Sequence, residues 1–178
     1  MKSGIRIDIP GFGYLHIQAI CSDYTGTLSC EGELIDGVKE RLLQLAELVD
    51  IHVVTSDTRK TASKQLEGLP VTLHDKITSD DHDVYKRDYL TRLGRRPGID
   101  PKSIAVFGNG RNDRLWLAAV RDAGGLAIAV DVGEGCAVEA MLSASVFVVG
   151  IGNALDLLLD RKRIVGTLRT KGAGAKDA

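Results

Sequence analysis

Aromatic residues make up only 4% of this 178-residue chain, and there is a single Trp, so no aromatic-rich binding surface is expected. Its three cysteines, Cys21, Cys30 and Cys136, match neither a disulfide framework nor a zinc spacing. Free thiols in a reducing compartment are the expectation. No apolar run approaches the ~18 residues of a membrane span. The opening Met1-Lys2-Ser3-Gly4-Ile5-Arg6-Ile7-Asp8 alternates polar and apolar residues and lacks the apolar block of a signal peptide. Charge of one sign is not in excess either. With 23 Lys and Arg against 24 Asp and Glu the net charge is -1, which leaves no basic footprint for nucleic acid. These absences predict a cytoplasmic protein with no membrane and no nucleic-acid partner. What is present, 44% hydrophobic and 26% charged residues, is the balance of a globular protein. One domain over 1–170 is expected, followed by a disordered tail, 171–178.

Periodicity then orders the chain. Ile5, Ile7 and Ile9 alternate with Arg6 and Asp8, Pro10-Gly11-Phe12-Gly13 is a turn, and Tyr14 to Gln18 resumes an extended pattern. An N-terminal β-hairpin is expected, leading into an apolar strand that ends at Ile20. Asp36 and Gly37 open a helix with Val38, Leu42, Leu45 and Leu48 on one face. Ile51 to Val54 is a strand, and a helix to about Glu67 follows, with Asp57 or Thr58 as its N-cap. Val71 to Leu73 is another strand. The run Thr78-Ser79-Asp80-Asp81-His82-Asp83 opens a helix carrying Val84, Leu90 and Leu93. Arg95-Arg96-Pro97-Gly98 is a loop, Ser103 to Phe107 a strand, and Asn112 to Arg121 a helix. Leu126 to Val130 and Val146 to Val149 are strands around a helix from Ala137 to Leu142. A last helix begins at Ala154, with Arg161-Lys162-Arg163 answering its dipole. Strands alternating with helices predict an α/β fold with a mostly parallel sheet covered on both faces.

In such sheets ligands sit beyond the carboxyl ends of the strands. Three segments occupy those places: Asp23-Thr25, Thr55-Asp57 and Gly108-Asp113. An aspartate just past a strand end, before a glycine turn, is exposed to act as nucleophile or metal ligand. Lys86 lies on the helix between the second and third segments; Lys76 and Lys102 share that interval. Read alone, Asp57 serves equally well as a helix cap or a site residue. The four histidines have no ligand spacing, Cys21 reads as core, and Trp116 between Leu115 and Leu117 reads as packing.

Taken together, these segments carry a family pattern. Asp23-Tyr24-Thr25-Gly26-Thr27-Leu28 resembles the first motif of the haloacid dehalogenase (HAD) superfamily, in the form with Thr at the third place that P-type ATPases use. Thr55-Ser56-Asp57 resembles the Thr-Gly-Asp of those ATPases. Lys86 lies where the third-motif lysine is expected, and Gly108-Asn109-Gly110-Arg111-Asn112-Asp113 resembles Gly-Asp-Gly-x-Asn-Asp. The resemblance is to small soluble P-type-ATPase-like hydrolases. It implies an HAD-like Rossmannoid three-layer sandwich and a Mg²⁺-dependent phosphatase working through an aspartyl-phosphate on Asp23.

By the same resemblance, Asp23, Thr25, Thr55 and Lys86 form the catalytic set. Thr55, Ser56 and Lys86 bind the substrate phosphate, and Asp23, the Thr25 carbonyl, Asn109 and Asp113 hold the metal. Two departures follow. Thr25 replaces the aspartate that serves as acid and base, a role worth roughly 10²–10⁴-fold, so slow hydrolysis is expected. Asn109 replaces a charged ligand, which weakens the metal site. The alternative is a phosphoryl-binding or regulatory module that does not turn over. The short spacing between motifs leaves no room for a cap domain, so the site is expected to be open. The partner is then a phosphorylated small molecule or macromolecule, with a homo-oligomer expected.

Overall fold

Ile5, Ile7 and Ile9 are buried while Arg6 and Asp8 face solvent, which is the alternation that makes β1 (Ile5–Ile9) a strand with one dry face. It pairs antiparallel with β2 (Gly13–Ile17), giving the expected hairpin. The computed structural model describes residues 2–77, 80–96 and 99–171. The expected tail beyond Lys171 and the Pro97-Gly98 and Thr78-Ser79 portions of the expected loop and cap lie outside the described residues. Next come β3 (Ala19–Ser22), a small hairpin of β4 (Ser29–Cys30) and β5 (Glu33–Leu34), and α1 (Val38–Ala46). β6 (Asp50–Val54), α2 (Ala62–Gln65), β7 (Thr72–His74) and α3 (His82–Leu93) follow. The chain continues through β8 (Ile104–Gly108), α4 (Arg114–Asp122), β9 (Leu126–Asp131), α5 (Val138–Ser143), β10 (Val146–Val149), α6 (Ile151–Leu159) and α7 (Arg161–Leu168).

β10, β9, β8, β3, β6 and β7 form, in that order, a six-stranded sheet whose pairs are all parallel. Each interior strand serves two cores. Ala19 and Cys21 of β3, with Ile104 and Val106 of β8, meet Leu90 and Leu93 of α3 and Trp116, Leu117 and Val120 of α4. Ile20, Ala105 and Phe107 point the other way, to the β1–β2 hairpin, α1, α6 and α7. This is the α/β sandwich expected from the alternation. The chain runs from β3 to β6 and β7 on one side, then returns to β8 and β9 on the other. The crevice between β3 and β8 is therefore the switch point where ligands bind in open α/β sheets.

Three expectations need correction. The helix expected from Asp57 to Glu67 is only the four residues of α2, because Asp57 adopts a left-handed φ of 40° and the chain loops first. Its carboxylate still caps, taking the N–H groups of Thr61 and Ala62 at 3.1 Å each. The interval between Asp23 and Thr55 holds the β4–β5 hairpin as well as a turn, a helix and a strand. The last helix is two: α6 stops at Leu159, and the Asp160 carboxylate accepts from Lys162 N–H at 3.1 Å to start α7. Arg161-Lys162-Arg163 thus opens a helix, and Arg163 pairs with Asp156 at 3.5 Å and Asp160 at 3.8 Å.

Candidate active site

Asp23 directly follows β3, an interior strand, and its backbone N–H donates to Phe107 O of β8 at 3.0 Å. The carboxylate is buried, not exposed as its place after the strand predicts, because Lys86 and the Tyr24 N–H close over it. Tyr24 N–H donates to its Oδ1 at 2.8 Å, and Lys86 Nζ stands 3.1 Å from the same oxygen. Tyr24 is itself fixed, its hydroxyl donating to Gly32 O of the β4–β5 turn at 2.8 Å. Lys86 lies on the buried face of α3 with Tyr89, Leu90 and Leu93, and it is 0% exposed. Of the five lysines in the interval, Lys60, Lys64, Lys76 and Lys102 are exposed, so the geometry singles out Lys86.

A buried ammonium needs partners, and Lys86 has two carboxylates: Asp113 Oδ1 at 2.7 Å and Asp23 Oδ1 at 3.1 Å. Burial alone would pull its pKa down, but Asp113 and Asp23 outweigh it and hold the lysine above its usual range. Asp23 is the group that yields. Burial pushes it up to about 6; Lys86 pulls it back and the charge of Asp113 adds to the rise. Asp23 is consequently ionised at neutral pH and more basic than an ordinary carboxylate, which suits a nucleophile.

Both oxygens of Asp113 are committed. Oδ1 faces Lys86, and Oδ2 accepts the N–H groups of Asn109 at 3.1 Å and Gly110 at 2.9 Å. Gly108 makes room for this, since a Cβ there would lie 2.5 Å from Asp113 Cγ. Asn109 is clamped in turn: Thr27 Oγ1 donates to its Oδ1 and its Nδ2 donates to Gly135 O, each at 3.2 Å. Gly26, with φ of 72°, passes beneath it; a Cβ there would stand 2.4 Å from Asn109 Nδ2.

Thr55 directly follows β6 and is buried. Its Oγ1 accepts from Asp57 N–H at 3.0 Å, which leaves its hydroxyl proton to be donated elsewhere. Ser56 and Thr25 are half-buried. Thus the structure brings Asp23, Lys86 and Asp113 into contact and places Asn109 against the Thr25-Gly26-Thr27 turn. Thr55 and Ser56 stand at the end of the neighbouring strand. Residues that the sequence left unmarked, Thr27 and Gly26 among them, hold these groups, and their place inside the first motif was the available signal.

The donor set suits a hard cation only in part. Asp23, the Thr25 carbonyl and the Asn109 amide oxygen are oxygen ligands of the kind Mg²⁺ prefers. Asp113 would have to exchange a bond it already makes. Among the described residues, no group of three or more His, Cys, Asp or Glu side chains is placed to share an ion. With Asp113 engaged on both oxygens and Asp23 already facing Lys86, neutral oxygens make up the rest of a weak metal site.

Away from the site, Tyr89 Oη lies 2.8 Å from His52 Nδ1 and 2.7 Å from His74 Nε2. A hydroxyl has one proton, so it donates to one ring and accepts from the other. Burial pulls His52 down to about 4, and its Nε2 has no partner among the described residues. Burial lowers His74 as well, so both rings favour the neutral form at neutral pH. Among the described residues no helix is long and apolar enough to cross a membrane.

No family model matches the chain. An uncharacterised protein of Methanocaldococcus jannaschii is 40% identical over 68 residues, which cover 38% of this chain and 69% of that protein. Solved structures match over most of the length. The 3-deoxy-D-manno-octulosonate 8-phosphate (KDO8P) phosphatase of Moraxella catarrhalis, in complex with magnesium, phosphate and KDO, superposes with a TM-score of 0.57 at 15% identity. That match covers 86% of this chain and 94% of the other. A cobalt-bound form of the corresponding Haemophilus influenzae phosphatase gives 0.59 at 15% identity, over 85% and 91%. A haloacid dehalogenase-like hydrolase of Streptococcus pneumoniae gives 0.58 at 12% identity, over 81% and 99%.

Proposed function

We propose that this chain, which has the fold of the haloacid dehalogenase superfamily hydrolases and shares a family with the archaeal relative, hydrolyses phosphate esters through an aspartyl-phosphate on Asp23. The observation that carries the reading is Lys86 Nζ set between Asp23 at 3.1 Å and Asp113 at 2.7 Å beyond the ends of β3 and β8. A carboxylate attacks a phosphoryl group only if the negative charges on both are offset. Lys86 supplies that charge from within the protein, and Asp113 keeps it ionised and in place. The Thr55 hydroxyl, with the Ser56 loop beside it, donates to a phosphoryl oxygen.

Asp23, the Thr25 carbonyl and Asn109 would hold Mg²⁺, with Asp113 contributing charge from behind Lys86. When bound, the ion neutralises phosphoryl charge. Attack by Asp23 forms a new O–P bond as the P–O bond to the ester breaks, and the alcohol leaves with a proton taken from water. Water then attacks phosphorus, releases inorganic phosphate and regenerates Asp23. Thr25 cannot act as acid or base near neutral pH, so both half-reactions lack that assistance and turnover is slow. A neighbour of the same fold, described in complex with phosphate and KDO, supports a phosphorylated small molecule as substrate.

The test is a panel of phosphate esters with Mg²⁺, run beside Asp23→Asn. Turnover by the wild type and none by the variant is expected, together with an acid-stable label trapped on Asp23. If no ester is hydrolysed above the variant's background, the hydrolase reading fails. One observation favours a second reading, a phosphoryl-binding module that does not turn over. The Asn109 amide is locked at both ends, to Thr27 and to Gly135, where a metal-binding carboxylate would serve hydrolysis better. A phospho-Asp23 that persists for hours would decide for it.

A further inference from the structure

The lone tryptophan of the chain is also its largest fully buried side chain. Trp116 lies three residues after Asp113, at the head of α4, and that spacing places both on one helical face. The two side chains address the same atom. Asp113 Oδ1 lies 2.7 Å from Lys86 Nζ, and the ammonium stands 5.0 Å from the centroid of the indole ring. A cation within about 6 Å of an aromatic face is attracted by the ring quadrupole, and more strongly when water is excluded. Here both partners are 0% exposed.

A second observation argues against simple space filling. Trp116 Nε1 is buried with no hydrogen-bond partner among the described residues. An unpaired buried N–H is a penalty that Phe or Leu would not carry. Indole is also the aromatic ring that attracts a cation best. The contact with Lys86 therefore accounts for a tryptophan at a place where a hydrocarbon would pack without the unpaired donor.

We infer that Trp116 is a positioning residue for Lys86, an assignment that rests on the phosphoryl-transfer reading for its consequence but not for the contact itself. The ammonium has three N–H donors, and two carboxylates compete for them. Asp113 is the nearer, and it is tied to the Asn109 loop. Lys86 has a flexible four-carbon stem, so without a wall beside it the ammonium can settle on Asp113 alone and leave Asp23. The indole face fills that space and holds the charge weakly. A weak π contact is easily exchanged for an arriving phosphoryl oxygen, whereas a third strong acceptor would have to be broken first.

Because the chain has one tryptophan, its emission reports on this contact directly, with no substrate required. Lys86→Met is expected to alter the indole emission of the resting protein, while Lys102→Met, at an exposed lysine, leaves it unchanged. An unaltered spectrum in Lys86→Met overturns the assignment whatever the protein catalyses. The role is then read from Trp116→Phe, which keeps an aromatic face, against Trp116→Leu and Trp116→Met, which do not. Phe is expected to stay within about threefold of wild-type kcat, and Leu and Met to lose about tenfold with KM little changed. Equal turnover by Phe and whichever aliphatic variant folds overturns it, and so does a loss in Phe as large as theirs. If both aliphatic variants fail to fold, Phe within threefold, with the Lys86→Met emission change, supports the assignment, and a larger loss in Phe overturns it. If the wild type turns over no ester, the hydrolase reading fails on its own, and the same comparison is made on beryllofluoride affinity measured by calorimetry.

Discussion

Thr27 Oγ1 donates to Asn109 Oδ1 across 3.2 Å, joining the turn after β3 to the loop after β8. With the opposite end of the amide donating to Gly135 O, Asn109 uses both a donor and an acceptor, which no carboxylate can do. The residue that departs from the metal-binding pattern is therefore one the local hydrogen bonds require.

Asn109→Asp should destabilise the protein. The substitution sets a carboxylate oxygen against the exposed Gly135 carbonyl and removes a hydrogen bond, a loss of roughly 0.5–1.5 kcal/mol. Chemical denaturation in EDTA reads it directly. Thr25→Asp changes a half-buried side chain outside that clamp, so it is the cleaner way to restore an acid–base group. A gain in phosphatase rate in Thr25→Asp, with stability nearly unchanged, is the expected outcome.

Gly26→Ala should open the site. A left-handed φ of 72° disfavours any side chain by roughly 1–2 kcal/mol, and the new methyl would collide with Asn109 Nδ2. Loss of stability accompanied by loss of Asp23 labelling is expected. Normal labelling would show that the two loops tolerate separation.

Asp23→Asn should abolish labelling yet raise stability in metal-free buffer. The carboxyl is held up near 6, above its unfolded value of 3.8, so its ionisation works against folding at neutral pH. That penalty, roughly 1–3 kcal/mol above pH 6, is relieved as pH falls and the folded form takes up the proton. The advantage of the variant should accordingly be largest near pH 8 and fade below about pH 6. A constant difference from pH 8 to pH 4 would contradict the argument.

His52 titrates with the opposite sign. Its folded value of about 4 lies below the unfolded 6.5, so its contribution is intact above pH 6.5 and lost as pH falls toward 4. The loss is roughly 3 kcal/mol. Between about pH 6 and pH 4 the two groups oppose one another, so wild type should vary less over that range than Asp23→Asn. His52→Asn, which keeps a donor beside Tyr89 Oη but cannot titrate, should flatten the acid dependence of Asp23→Asn at some loss of stability at neutral pH. Urea midpoints across the pH series test both slopes.

The sheet was readable in advance because its strands separate two dry layers: Ala19 and Cys21 face one, Ile20 the other, and short apolar runs mark them. Lys86 was readable because it follows an acidic helix start at the expected interval. The β4–β5 hairpin was not, since two-residue strands carry no periodicity. Neither was the loop before α2, which depends on Asp57 reaching Thr61 and Ala62 from a left-handed backbone. The break between α6 and α7 had a signal in Asp160, masked by the apolar run before it. Trp116 read as packing because its second function depends on a lysine from another helix. The His52–Tyr89–His74 cluster likewise joins residues of three elements that no local pattern connects.

The anchoring of Asp23 has a consequence for how the protein fails. Its strand is flanked by β6 and β8, its own N–H is bonded to Phe107 O, and Lys86 belongs to the buried face of α3. The nucleophile and the lysine beside it are thus tied to the sheet and to the core beneath α3. As heat or denaturant is raised, phosphoryl acceptance should vanish in the same cooperative transition that ends the fold, with no inactive but still folded plateau before it.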